Sequence, residues 1–364
     1  MPEFRSFAKT VQPNWQGLVD NILRRGTPDR AYHIELFHDA EIADAIIDRF
    51  GVAADLDPGR PDYGYRRAIA FHRFLGFDYV CARLQDMPMP LHRQTIEDTA
   101  ALERAGGRSF QDEHAGPVHD WESFEKYPWP DPSAPAATRE LEWYQQNLPQ
   151  DMCIVGRGVG HFCEHLCWLM GYETLCYALH DDRDLVRAIA DRITEQDRIA
   201  TKRMLEFDRV RILWPSDDMG FKTALLFAAD DMREFVLSRH KILAEMAHQA
   251  GRACILHSCG NLAQIMDDLI DDVRFDGKHS FEDTIEDVRQ LKGTYGRKIA
   301  LLGGIDVDFL CRADEQAIRS RVRQTLDICL PGGGYCLGSG NSVANYIPLD
   351  NYLAMVDEGR LYAA

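Results

Sequence analysis

The feature that most restricts the fold of this chain is a recurring unit, in which a short apolar run ends at a turn and a stretch with helical apolar spacing follows. Residues 31–37 read as a strand and 39–50 as a helix, with Ile42, Ala45, Ile46 and Phe50 on one face and Gly51 closing it. A helix over 65–75 leads to a strand over 78–84. Further strands are predicted at 152–158, 209–216, 253–257, 274–277, 298–302 and around Cys336. Helices are predicted at 161–170, 183–207, 231–249, 262–270, 285–291, 314–330 and 351–358. About eight strands, each followed by a helix, are the pattern of a closed (β/α)8 TIM barrel rather than an open doubly wound sheet. No G-x-G-x-x-G follows the first strand, so a dinucleotide-binding fold loses ground.

Two segments fall outside this rhythm. Residues 1–30 read as an N-terminal helical extension, with Leu18, Ile22 and Leu23 on a short helix. Residues 85–149, after the second strand, are rich in proline and aromatics and read as a folded insertion near the site rather than a linker. The expectation is a single barrel domain over residues 1–364.

Charge and composition narrow the function classes. A formal net charge of −17 argues against a nucleic-acid binder, because counterion release from phosphates needs clustered Lys and Arg. No run approaches the roughly 18 uncharged apolar residues of a membrane span, and Met1-Pro2-Glu3-Phe4-Arg5-Ser6 lacks the apolar run of a signal peptide, so a cytoplasmic location without membrane contact is expected. The 10 cysteines lack disulfide-framework spacing and read as reduced, mostly buried thiols. A homodimer is only the generic expectation.

A barrel brings the C-terminal ends of its strands to one mouth, and Glu35, Asp217, Asp218, His257, Cys259, His279, Asp306 and Cys336 all lie at such ends. In Ala253-Cys254-Ile255-Leu256-His257-Ser258-Cys259-Gly260-Asn261, an imidazole and a thiol two residues apart on extended backbone point the same way and can meet one metal ion. Cys336, in Gly332-Gly333-Gly334-Tyr335-Cys336-Leu337-Gly338-Ser339-Gly340-Asn341, offers a third ligand. Three protein ligands leave zinc one position open for chemistry; the alternative is a core histidine and inert thiols. Asp217 and Asp218 suit either a general acid or base or a plain turn, and His279 and Asp306 are common loop residues as well as candidates. In His161-Phe162-Cys163-Glu164-His165-Leu166-Cys167, helical spacing lets His161 meet Glu164 or His165.

Asp217-Asp218-Met219-Gly220, Leu256-His257-Ser258-Cys259-Gly260-Asn261, Leu302-Gly303-Gly304-Ile305-Asp306 and Leu337-Gly338-Ser339-Gly340-Asn341 together resemble the uroporphyrinogen decarboxylase superfamily, a (β/α)8 group, most clearly from Cys153 onward. The resemblance implies one of two chemistries. True decarboxylases use no metal, hold substrate carboxylates with an arginine-rich N-terminal segment and carry a Gly-His-Gly turn. This chain has no arginine over 32–44 and reads Gly338-Ser339-Gly340 at the turn. It is more similar to the cobalamin-dependent methyltransferases, which hold Zn2+ by a His-x-Cys pair and a distant Cys, implying His257, Cys259 and Cys336. That branch implies methyl transfer between a small molecule of thiol, methoxy or methylamine type and a corrinoid (cobalamin) carried by a partner protein docked at the mouth. Asp217 and Asp218 are then the expected catalytic residues, and Glu35, His279, Asp306 and Asn341 the expected substrate contacts. The alternatives are a metal-independent decarboxylase of a tetrapyrrole or other carboxylated compound, and a non-catalytic tetrapyrrole- or corrinoid-binding protein.

Overall fold

The computed structural model describes residues 4–112 and 114–362; the first three residues of the N-terminal extension, Glu113 in the 85–149 segment and the last two residues lie outside it. After β1 (Tyr79–Arg83) the chain makes a small antiparallel pair, β2 (Arg93–Ile96) and β3 (Arg108–Gln111). It then lays down β4 (Cys153–Arg157), β5 (Val210–Leu213), β6 (Ala253–His257), β7 (Gly277–His279), β8 (Ala300–Leu302) and β9 (Tyr335–Cys336). The main sheet is a curled seven-stranded parallel ladder in the order β1-β4-β5-β6-β7-β8-β9. Sequential order in a parallel sheet requires a crossover between every pair of strands, and the helices supply it. Strands covered on both faces read as unbroken apolar runs, as in Cys254-Ile255-Leu256, all fully buried.

Residues 31–37, predicted as the first strand, form no regular ladder. They close the ring as an irregular stave: His33 bridges to Leu337 and His38 to Val343, with Ile34 N donating to Leu337 O at 2.9 Å and Leu337 N to Tyr32 O at 2.8 Å. Toward β1 a side chain replaces the missing backbone partner. The Tyr79 hydroxyl accepts from Glu35 N at 3.0 Å and donates to Glu35 O at 3.3 Å. The architecture is therefore the TIM-barrel kind that the repeated unit predicts, with seven regular staves and one irregular.

Several helices differ from their predicted bounds. The helix expected at 231–249 starts with Ala229–Met232, passes through a π-helical turn at Arg233–Leu237 and continues as Ser238–Gln249. The one expected at 285–291 lies at Val288–Tyr295, capped by the Asp287 side chain on Arg289 N. Tyr172–Asp181, a helix not anticipated, follows Phe162–Met170 with only Gly171 between them. The 85–149 segment holds the β2–β3 pair, a helix at Trp121–Lys126 opened by an Asp120–Ser123 capping box, and a helix at Arg139–Asn147. No helix among the described residues is long and apolar enough to cross a membrane.

Candidate metal centre

The end of β6 is tied to the loop after β5, and this places the ligands. His257 N donates to Pro215 O and Asp217 N to His257 O, each at 2.9 Å, so residue 218 emerges beside the histidine ring. Asp218 Oδ1 accepts from Cys259 N at 2.9 Å and lies 3.4 Å from His257 Nε2, while Cys259 Sγ lies 3.5 Å from the same nitrogen. One ligand atom from each of Asp218, His257 and Cys259 thus falls within 4.8 Å of the other two. The turn needs glycine at 260: its φ is +83°, and a Cβ there would sit 2.0 Å from Gly220 O in the neighbouring loop.

Around this group other side chains fix orientation. His257 Nδ1 is 2.8 Å from His279 Nδ1, leaving Nε2 facing Asp218 and Cys259. Asn341 Nδ2 donates to Cys259 Sγ at 3.0 Å. Ser280, at a φ of +127°, brings its hydroxyl 3.8 Å from the same sulfur and donates to Gly340 O at 2.5 Å. A β-region chain rarely takes that φ, and the strain sits where the strand end must turn a hydroxyl back to the thiol.

The electrostatics suit a cation. Burial opposes charge on Asp218, yet the hydrogen bonds from His257 and the Cys259 amide hold its carboxyl down to about 2. Burial keeps the His257 imidazole neutral against the pull of Asp218, which leaves a lone pair for coordination. Burial, reinforced by Asp218, pushes the Cys259 thiol up, and a coordinated cation reverses that preference.

The other sequence candidates fall in different places. Cys336 is not in this group. It is buried with Asn21 Nδ2 donating to its sulfur at 3.4 Å, and Asn21 also holds Gly334 N, at the start of β9. Cys336 shares a pairing row with Leu302, His279 and His257. In a sheared barrel such a row moves along the axis from strand to strand, so a paired position is not a level one. The chain runs on past Cys336, and Ser339 and Asn341 are the residues that reach the mouth. Ser339 meets Glu35, whose Oε1 accepts from Ser339 N at 3.0 Å and whose Oε2 lies 2.6 Å from Ser339 Oγ. Burial raises the Glu35 carboxyl to about 8, against the lowering effect of those two hydrogen bonds.

Asp217 is fully buried and faces away from the ligand group: its oxygens accept from Cys163 N at 3.0 Å and Glu164 N at 2.9 Å, and His240 Nε2 lies 2.8 Å away. Asp306 caps the helix Val307–Arg312 through Phe309 N and also accepts from Asp283 N, each at 2.9 Å. His161 and Glu164 do pair, at 2.7 Å, as helical spacing predicts. His240 gave no signal in the sequence, since it sits mid-helix among ordinary residues. Ser339 was read only as standing where the decarboxylases carry histidine; its hold on Glu35 has no local signal in the sequence.

A family model described as uroporphyrinogen decarboxylase (URO-D) matches residues 113–362. No curated protein matches the chain. Among solved structures, a methyltransferase from Methanosarcina mazei overlays with a TM-score of 0.67 at 18% identity, covering 96% of this chain and 98% of that one. A structure from Listeria monocytogenes described as a vitamin-B12 independent methionine synthase overlays with a TM-score of 0.48 at 12% identity, covering 93% and 99%. At these identities the likeness is one of fold.

Proposed function

The chain belongs to the uroporphyrinogen decarboxylase family, and from that premise we propose that it is a zinc-dependent methyltransferase, moving a methyl group between a small molecule and a corrinoid protein. The observation that carries the reading is the convergence of Asp218, His257 and Cys259 at the barrel mouth. One oxygen, one nitrogen and one sulfur suit zinc and leave a fourth position for substrate. The structural likeness to a protein described as a methyltransferase agrees with this, as do Ser339 at the turn where the decarboxylases carry histidine and the lack of arginine over 32–44.

In this reading Asp218, His257 and Cys259 hold the metal. His279 fixes the ring of His257, and Asn341 donates to the Cys259 sulfur. Zinc held there would supply Lewis acidity, favouring the thiolate form of a thiol acceptor or polarising the heteroatom of a methoxy or methylamine donor. Glu35, neutral at pH 7, holds the 338–341 turn through Ser339 and so keeps Asn341 in reach of the thiol.

Metal analysis of protein purified without added zinc tests the reading. About one zinc per chain is expected in the wild type. Loss of that zinc is expected in Cys259→Ala with the melting temperature kept, and full retention in Cys336→Ala. A wild-type protein that cannot be loaded with zinc ends the proposal.

A further inference from the structure

Where β1 and β4 end, the 85–149 segment roofs a cavity of about 890 Å3. That is within the volume range of small-molecule sites. Its wall combines Arg83 and Arg93 with Trp168, Met87, Met89 and His165. A second, more apolar cavity of about 470 Å3 shares Arg93 and Trp168 with it and continues to Phe110, Tyr172 and Phe221.

The polar groups of this wall are unequally satisfied. Its carboxylates are engaged: Asp86 pairs with Arg139 at 2.8 Å and Asp197 accepts from Gly160 N at 2.6 Å. Nearby Glu164 pairs with His161 at 2.7 Å. The guanidinium groups are exposed and form no ion pair among the described residues. The Glu140 carboxylate lies beside Arg83, accepting from its backbone N at 3.3 Å and feeling its charge, and Gln111, with its amide turned to satisfy both of its ends, accepts from Arg93 Nε at 3.1 Å. His165 Nδ1 is buried with no hydrogen-bond partner. In a chain of net charge −17, two exposed guanidinium groups with no ion pair among the described residues and a buried imidazole nitrogen without a partner line one mixed polar and apolar cavity, a setting that suits an anion.

Resting on the methyl-transfer reading of the mouth, we infer that this cavity binds the small-molecule substrate as a flat apolar body carrying a carboxylate, the carboxylate held by Arg83 and Arg93 and the flat body lying against Trp168 and the methionines. Arginine is suited to this task, because its planar fork matches a carboxylate in two-point contact. Methionine and tryptophan supply adaptable apolar surface for the rest of the molecule.

Calorimetric titration with naphthalene-2-carboxylate and with 2-naphthylmethanol, which has similar shape and no charge, tests the inference without requiring turnover. The carboxylate is expected to bind at least about tenfold more tightly than the alcohol, with a preference that shrinks as salt is raised. The double variant Arg83→Gln/Arg93→Gln should lose that preference while still binding the alcohol, and its melting temperature should match wild type. Cys259→Ala should keep the preference, because the metal ligands are not the anion site. Equal affinity for the two probes in the wild type, or an undiminished preference in the double variant, overturns the inference. If zinc loading fails while the preference holds, the metal reading falls and the cavity assignment stands; if zinc loads and no preference is seen, the reverse is true.

Discussion

Ser339 has one hydroxyl proton and two close acceptors, Glu35 Oε2 at 2.6 Å and Asn341 O at 2.7 Å. One proton cannot serve both. The geometry closes if Glu35 is a carboxylic acid that donates to the hydroxyl, which then donates to Asn341 O, and burial raises the Glu35 carboxyl to about 8. The linkage sign follows. Unfolded, the group ionises near its ordinary value of 4.5, so between there and about 8 the folded chain holds a proton the unfolded one has released, and stability falls as pH rises through that window. Glu35→Gln mimics the neutral acid, with an amide N–H for the hydroxyl and a carbonyl for Ser339 N. It should melt like wild type at pH 5 and higher by on the order of 2–4 °C at pH 9. A variant that melts lower than wild type at both pH values would show that Glu35 is ionised in the fold. At this scale the sequence was informative about residue types. The convergence of His257 and Cys259 was legible because extended backbone fixes the direction of i and i+2 side chains. Asp218 was legible as a candidate carboxylate, yet its choice over Asp217 depends on which of two adjacent side chains follows the β6 hydrogen bonds, and no local pattern encodes that.

Asp217 shows what an element can demand of a distant residue. The helix Phe162–Met170 begins after His161, whose side chain makes no capping bond. Its first amides are orphan donors, and Asp217, far along the chain, accepts from two of them while holding His240. The sequence marks no cap because the cap comes from another turn of the barrel. Asp217→Ala leaves two buried amides and a buried imidazole without their acceptor, so a loss on the order of 3 kcal/mol in urea unfolding is expected, with zinc content per folded chain unchanged. Wild-type stability with lost zinc would instead make Asp217 part of the metal site. The same limit explains Cys336. Local pattern located β9 correctly, but how far the strand continues before meeting the mouth depends on barrel stagger, a property of all the strands together. Elements whose periodicity was strong, such as Arg183–Leu205 and Glu315–Cys329, formed within two residues of their predicted bounds. The β2–β3 pair was not anticipated because its exposed strands carry no apolar alternation.

At the scale of the whole molecule, the repeat of strand and helix was enough to read the barrel, while its seam was not. Residues 31–37 carry the composition of a strand, yet the ring closes there through His33, Leu337 and the hydroxyl of Tyr79 rather than through a full ladder. A seam held by a side chain is the place where a closed sheet opens first, because each lost hydrogen bond there is not backed by neighbours in a ladder. Glu35 sits on this seam and Ser339 on the stave beyond it, so closure and the positioning of Asn341 against Cys259 share one set of contacts. Tyr79→Phe removes both bonds to the Glu35 backbone and leaves its buried amide and carbonyl unpaired, at a cost of about 1–3 kcal/mol. Hydrogen exchange should locate that loss: the Glu35 amide and those of residues 31–37 should exchange faster in the variant, while β4, β5 and β6 keep wild-type protection. Uniform acceleration across all the strands would mean that the ring opens as one unit and that the seam has no independent motion. Acceleration confined to 31–37, with weaker zinc retention during dialysis, would tie the closure of the barrel to the order of its mouth.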